Sequence, residues 1–200
     1  MKATTTILAL LFFNFLNAQE GYKVGDQAID FSLKNVDGKM VSLKDYPNAQ
    51  GFVVIFTCNH CPYSIAYQDR IIELDKKYKQ LGYPVIAINP NDTSIVPGDS
   101  FEGMVVRAKE KAFTFPYLRD ETQEIANAYG AQRTPHVYLL KKEKDKLIVR
   151  YIGAIDDNYQ DESAVNQPYL SNAIDALLKN ENPNPEFTKA IGCSVKRKTL

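Results

Sequence analysis

The chain has 200 residues, of which 44% are hydrophobic, and its 24 basic side chains balance 24 acidic ones. That length suits one globular domain with some residues left over at the ends. No basic field recommends nucleic acid as a partner, and the near-neutral balance speaks for no polyanionic ligand.

The first stretch reads as a leader. Lys2 supplies a positive start, Ile7 to Phe13 a short apolar core, and Ala18 a small residue for cleavage. This is the pattern of a secretory signal peptide over residues 1–19, too short and too interrupted by Asn14 for a comfortable membrane span. The expectation is an exported protein, periplasmic or extracellular, with no membrane insertion after cleavage; the alternative is a retained N-terminal anchor. The rest divides into a domain over residues 20–181 and an irregular tail over 182–200, where Asn and Pro accumulate.

Residues 25–43 predict a β-hairpin: Ile29, Phe31 and Leu33 alternate with polar residues, Asp37-Gly38 is a turn, and Met40, Val41 and Leu43 return. Residues 52–57 are apolar nearly throughout, as in a strand covered on both faces. Directly after them come Cys58-Asn59-His60-Cys61-Pro62. A helix over about 60–81 then follows, with Tyr67, Ile71, Leu74, Tyr78 and Leu81 as one apolar stripe and Gly82 as its stop. A second buried strand spans 83–89.

Beyond it, residues 90–98 form a polar loop. Ser100 caps a helix carrying Phe101, Met104 and Val105, and residues 115–118 are extended. Asp120 with Gln123 has the spacing of a capping box for a helix ending at Gly130. Strands at 137–140 and 147–152 flank a charged turn over 141–146, read as a solvated hairpin tip. Asn166 is the expected cap of a last helix, with Pro168 in its first turn and Leu170, Ile174, Leu177 and Leu178 buried.

Strand, Cys-x-x-Cys, helix is the setting in which two cysteines act as a dithiol–disulfide couple. A helix N-terminus favours a negative sulfur and lowers a thiol pKa from about 8.5. Cys58, taken as the more exposed of the two, becomes the thiolate nucleophile, and Cys61 resolves its mixed disulfide. A structural bridge across two intervening residues would constrain almost no chain entropy. His60 can place positive charge or a hydrogen bond beside Cys58, which predicts a Cys58 pKa below about 7.

The chain resembles the thioredoxin-like superfamily, in the redoxin branch that groups alkyl hydroperoxide reductase/thiol-specific antioxidant relatives with exported thioredoxins. The resemblance rests on Val24-Gly25-Asp26 with Asp30-Phe31-Ser32-Leu33, on Asp37-Gly38-Lys39, on Cys58-Asn59-His60-Cys61 and on Thr134-Pro135. It implies an α/β fold with a central mixed sheet flanked by helices, an N-terminal β-hairpin and an insertion after the second core strand. It also implies a cis Thr134–Pro135 bond against the dithiol. Thr134, Pro135 and Asn59 are then the residues that meet a substrate.

The implied activity is thiol–disulfide oxidoreduction in cell redox homeostasis, on protein or small-molecule disulfides, with an upstream redox partner. No cofactor is called for beyond the Cys58–Cys61 disulfide itself. Two alternatives stand beside it. A thiol peroxidase with antioxidant activity would need Thr or Ser three residues, and Pro seven residues, before its cysteine; Ile55 and Gly51 stand there instead. A copper- or zinc-binding module could draw on Cys58, Cys61 and His136, although copper carriers of the superfamily space their cysteines by three residues. Cys193 is an odd cysteine in an exported chain, a candidate for intermolecular pairing or an auxiliary redox role, with a free, packed thiol as the alternative, and is expected to be dispensable for turnover.

Overall fold

The computed structural model describes residues 21–198. The expected leader therefore lies outside the described residues. The chain starts with β1 (Gln27–Ala28), then the hairpin β2 (Ser32–Asn35) and β3 (Met40–Ser42), and reaches β4 (Gly51–Phe56). Helix α1 (Pro62–Tyr78), β5 (Val85–Asn89), α2 (Phe101–Glu110), β6 (Tyr117–Arg119) and α3 (Glu124–Tyr129) follow. Next come β7 (Arg133–Thr134), β8 (His136–Glu143), β9 (Lys146–Gly153), α4 (Tyr169–Leu178) and finally β10 (Cys193–Ser194).

Eight strands make one mixed sheet in the order β1-β9-β8-β4-β5-β6-β2-β3, while β7 and β10 pair separately. β4, β5 and β6 run parallel, and β8 lies antiparallel to β4 on its other side. Helices cover both faces, the α/β arrangement expected of the sequence. β4 is central because every one of its residues is buried. Removing such a side chain from water contributes about 1.5–3 kcal/mol, and only the middle of a two-faced sheet buries six in a row.

Alternation assigns the faces. Val53, Ile55, Val85, Ala87, Val137 and Leu139 meet Tyr67 and Ile71 of α1 and Leu170, Ile174 and Leu177 of α4. Phe52, Val54, Phe56, Ile86, Ile88 and Tyr138 meet Tyr129 of α3 and Phe31 and Leu43 of the N-terminal segment.

Several local expectations change. The N-terminal segment is divided between two sheet edges: β1 pairs with β9, while β2 and β3 pair beside β6. Ile29, between them, is exposed because the chain is crossing from one edge to the other. α1 ends at Tyr78 in a short 3-10 turn over Lys79–Leu81, and Gly82 closes it at φ +87; Leu81 lies outside the buried stripe.

The Asp120–Gln123 capping box does not form. Gln123 is itself left-handed with φ +63, and α3 begins after it. Asp120 Oδ2 instead accepts from the Ala126 N–H at 2.8 Å, and the Gln123 side chain reaches Pro90 and the tail. Nor does Asn166 cap α4; Pro168 occupies that position, with no side-chain cap bond.

Candidate active site

The end of β4 and the start of α1 place the dithiol. Thr57 N–H still donates to Ile88 O at 2.8 Å, so the chain leaves the sheet only at Cys58. Cys61 is the N-cap of α1, with extended backbone at φ −66 and ψ 125, and Pro62 opens the helix, where its missing N–H is no loss. Ile65 N–H closes the first turn on Cys61 O at 2.9 Å. The unpaired N–H groups of α1 thus lie at Cys61.

Cys58 and Cys61 are close enough that each shifts the other's pKa. Cys58 Sγ also lies 3.3 Å from Thr134 Oγ1 and 3.8 Å from Ser64 Oγ. Cys61 Sγ is 2.6 Å from Cys193 Sγ, accepts from the Cys193 N–H at 3.4 Å, and sits 3.2 Å from Thr134 O. Cys58 is 1% exposed and Cys61 0%, whereas Cys193 is only partly buried. The expectation that the first cysteine is the exposed one is therefore not met.

Its electrostatics reverse as well. Cys58 is pushed far up by its side-chain interaction with Cys61, by burial and by the nearby Asp99 carboxylate. Cys61 is held well below the usual cysteine value, chiefly by its side-chain interaction with Cys58, helped by Cys193 and by the Ser64 backbone. Negative charge is favoured on Cys61 over Cys58, and the expected Cys58 pKa below 7 does not hold in this state.

Asp99 is the polar hub next to the motif. It is fully buried and lies just before α2, in the segment inserted after β5. Its carboxylate accepts from Asn59 N–H at 2.7 Å, from Asn91 Nδ2 at 2.8 Å, and bonds His60 Nδ1 at 2.7 Å. Asn59 is pinned on both sides: its Nδ2 donates to Gly98 O at 2.9 Å, and its Oδ1 accepts from the Tyr117 hydroxyl at 2.9 Å. That amide is buried and turned inward, so it offers no side-chain group to a substrate.

His60 lies beside Cys58, but its hydrogen bond goes to Asp99; one ring nitrogen, Cys58 Sγ and an Asp99 oxygen are all within 4.8 Å of one another. Among the described residues this is the group with the atoms to hold a metal ion. It is not the Cys58, Cys61 and His136 set expected of a copper or zinc module.

His136 faces elsewhere. Position 136 shares its sheet face with Tyr138, whose ring centroid is 4.8 Å away, and its Nδ1 accepts from Gln132 N–H at 3.3 Å. Burial lowers its pKa to about 4, so the ring is neutral. Thr134–Pro135 is cis, as the resemblance implied. The backbone edge at Thr134, expected to pair with a substrate, is occupied by the chain's own tail: β10 pairs antiparallel with β7, Cys193 opposite Thr134 and Ser194 opposite Arg133.

Residues 24–158 match the AhpC/TSA family. The chain belongs to the AhpC/TSA family. It is 26% identical over 135 residues to a thiol-disulfide oxidoreductase ResA of Bacillus cereus (strain ATCC 10987 / NRS 248), covering 66% of this chain and 72% of that protein. Among solved structures, one of an uncharacterized conserved protein from Geobacillus kaustophilus is 40% identical, with a TM-score of 0.80 over 89% of this chain and 94% of that one. Another, a hypothetical protein from Sinorhizobium meliloti 1021, is 29% identical with a TM-score of 0.82, covering 90% and 97%. A peroxidoxin BcpB from Mycobacterium tuberculosis, at 17% identity and a TM-score of 0.54 over 65% of this chain and 84% of that one, shares the thioredoxin-like fold.

In this AhpC/TSA-family chain, sequence reasoning missed Asp99, Asn91 and Tyr117 as the motif's support. Asp99 precedes a Ser cap and reads as ordinary helix-start polarity, so nothing local distinguished it. For Cys193 there was a signal, the odd cysteine in Gly192-Cys193-Ser194, but not its place. Among the described residues no helix is long and apolar enough to cross a membrane.

Proposed function

We propose that Cys58 attacks a client disulfide and that Cys61 serves first as the acceptor of its proton and then as the resolving nucleophile. The protein is a thiol–disulfide oxidoreductase of the AhpC/TSA family. One observation supports the division of roles: Cys61 is the N-cap of α1, where unpaired N–H groups favour negative charge, and its thiol is held below the usual cysteine value while Cys58 is pushed up.

The steps balance. The Cys58 proton passes to Cys61 as the Cys58 sulfur attacks. A Cys58–client disulfide forms and one client thiolate leaves. That thiolate takes the proton back from Cys61, and the Cys61 thiolate attacks Cys58 Sγ. The Cys58–Cys61 disulfide forms and the second client thiolate departs. Two electrons have moved from the dithiol to the client. The disulfide is the only redox group the scheme uses.

Thr134 Oγ1, 3.3 Å from Cys58 Sγ, can donate to the sulfur as it gains charge. Thr134 and Pro135 form the wall beside the dithiol, with the Thr134 backbone edge taken by β10. The partners are protein or small-molecule disulfides and an upstream dithiol that restores the reduced state. The apolar leader over residues 1–19 supports an exported, periplasmic setting.

The test is trapping. Cys61→Ser, incubated with a disulfide client such as insulin, should accumulate a mixed disulfide on Cys58 that mass spectrometry detects, while Cys58→Ser forms none and does not turn over. Undiminished insulin reduction by Cys58→Ser would end this assignment.

A further inference from the structure

We propose that Cys193 is a third redox thiol, which attacks the Cys58–Cys61 disulfide at Cys61 and moves the bond to Cys61–Cys193. The inference rests on the dithiol reading above and extends it.

Cys61 stands between two sulfurs, its motif partner Cys58 on one side and Cys193 at 2.6 Å on the other. From there a sulfur–sulfur bond of about 2.05 Å needs only a small adjustment. The approach is held by the backbone. Cys193 pairs with Thr134 across β10 and β7, and its own N–H donates to Cys61 Sγ.

The preceding residue must be glycine for this to happen. A β-carbon on Gly192 would lie 2.3 Å from Thr134 O and 2.7 Å from Thr134 C, both backbone atoms that cannot yield.

Beyond Cys193 the tail is fastened residue by residue. Val195 N–H donates to Gln132 O at 3.0 Å, and Lys196 N–H donates to the buried Asn91 Oδ1 at 2.8 Å. Gln123 Nε2 donates to Lys196 O at 2.7 Å, while Gln123 Oε1 accepts from Lys198 N–H at 2.9 Å. Gln123 is buried and has left the helix cap to make these bonds. A tail that merely trailed from the domain would not occupy buried amides.

In the exchange, Cys193 gives up its proton and its sulfur bonds Cys61. The Cys58 sulfur leaves and takes the proton, so nothing is oxidised or reduced overall. Burial and the charge of Cys61 hold reduced Cys193 protonated, pushed up to about 11, while Lys196 and Arg133 pull the other way. Once Cys61 is oxidised its charge is gone, and the basic neighbours favour the attacking thiolate.

Cys193 is also the least buried of the three cysteines. An external dithiol can therefore attack Cys193, releasing Cys61, and then resolve its own mixed disulfide, leaving that dithiol oxidised. Clients oxidise the protein at Cys58, and electrons return at Cys193.

Disulfide mapping tests this. The purified reduced protein is equilibrated with glutathione disulfide, quenched in acid, alkylated and digested for mass spectrometry. The expected linkage is Cys61–Cys193 with Cys58 alkylated, and Cys58–Cys61 in Cys193→Ser. Gly192→Ala, which keeps all three thiols, should lower the Cys61–Cys193 share about tenfold, corresponding to about 1.4 kcal/mol of lost pairing.

The two linkages also differ in loop size, because Cys61 and Cys193 are 132 positions apart. Oxidation should raise the melting temperature of the wild type and leave that of Cys193→Ser nearly unchanged. A wild type with Cys58–Cys61 bonded and Cys193 alkylated overturns the relay and leaves the dithiol reading intact. Absence of a Cys58–Cys61 bond in Cys193→Ser overturns the dithiol reading and the relay with it. An unchanged Cys61–Cys193 share in Gly192→Ala overturns the relay through the docked tail.

Discussion

Replacing His136 with Gln should change how the stability of this protein depends on acid. The ring is 9% exposed, and its pKa is lowered to about 4 from an ordinary 6.5, the cause being burial. Between those values the unfolded chain binds a proton that the folded chain does not. The stability due to the neutral ring is thus fully present above pH 6.5 and is lost as the pH falls toward 4.

One pKa unit is about 1.4 kcal/mol, so the loss relative to neutral pH comes to about 1 kcal/mol at about pH 5.5 and about 2.5 kcal/mol at about pH 4.5. Against a total of about 5–15 kcal/mol for a domain, that is measurable. Urea denaturation of wild type and His136→Gln across this range reads it as a difference of slopes. The variant is less stable at neutral pH if its packing suffers, but its stability should fall less with acid. Parallel slopes would refute the account, because they would mean that the folded protein protonates His136 as readily as the unfolded one.

Arg70→Leu should destabilise the fold by about 3–5 kcal/mol, since it leaves the buried Asp156 carboxylate without the guanidinium 2.7 Å away. In the double variant Arg70→Leu with Asp156→Leu, much of that loss should return. Full additivity of the two single losses would refute the pairing. Asp99→Asn should lower the Cys58 pKa by about one unit, because the carboxylate is among the groups that raise it. Thiolate absorbance in a Cys61→Ser, Cys193→Ser background measures this. A rise would refute that role of the carboxylate.

The sequence by itself determined the frame of the fold and the two ends of the reactive motif. The five apolar residues at 52–56 have nowhere to go but a central strand, and Pro62 after Cys61 fits a helix start. Asp37-Gly38 fixed one hairpin, and the stripe through Tyr67, Ile71 and Tyr78 fixed the face of α1. These are local consequences of backbone preference and of period, and a neighbour is not needed to read them.

What tertiary structure decided is which distant atoms complete the site. Asp99, 39 positions from His60, becomes its partner only because the segment after β5 folds back over the motif. Gln123 has the spacing of a helix cap, yet its side chain secures the tail, because a long-range pair of amide bonds outweighs one local cap bond.

The charge on the dithiol moved for the same kind of reason. A helix N-terminus favours a thiolate on either cysteine, and sequence offers no means of choosing between them. Burial of Cys58 beside Asp99, with Cys193 and the Ser64 backbone turned toward Cys61, makes the choice. Spacing along the chain announces two thiols in reach of each other; the third arrives from 132 positions away, through a strand of two residues and a glycine with no room for a side chain.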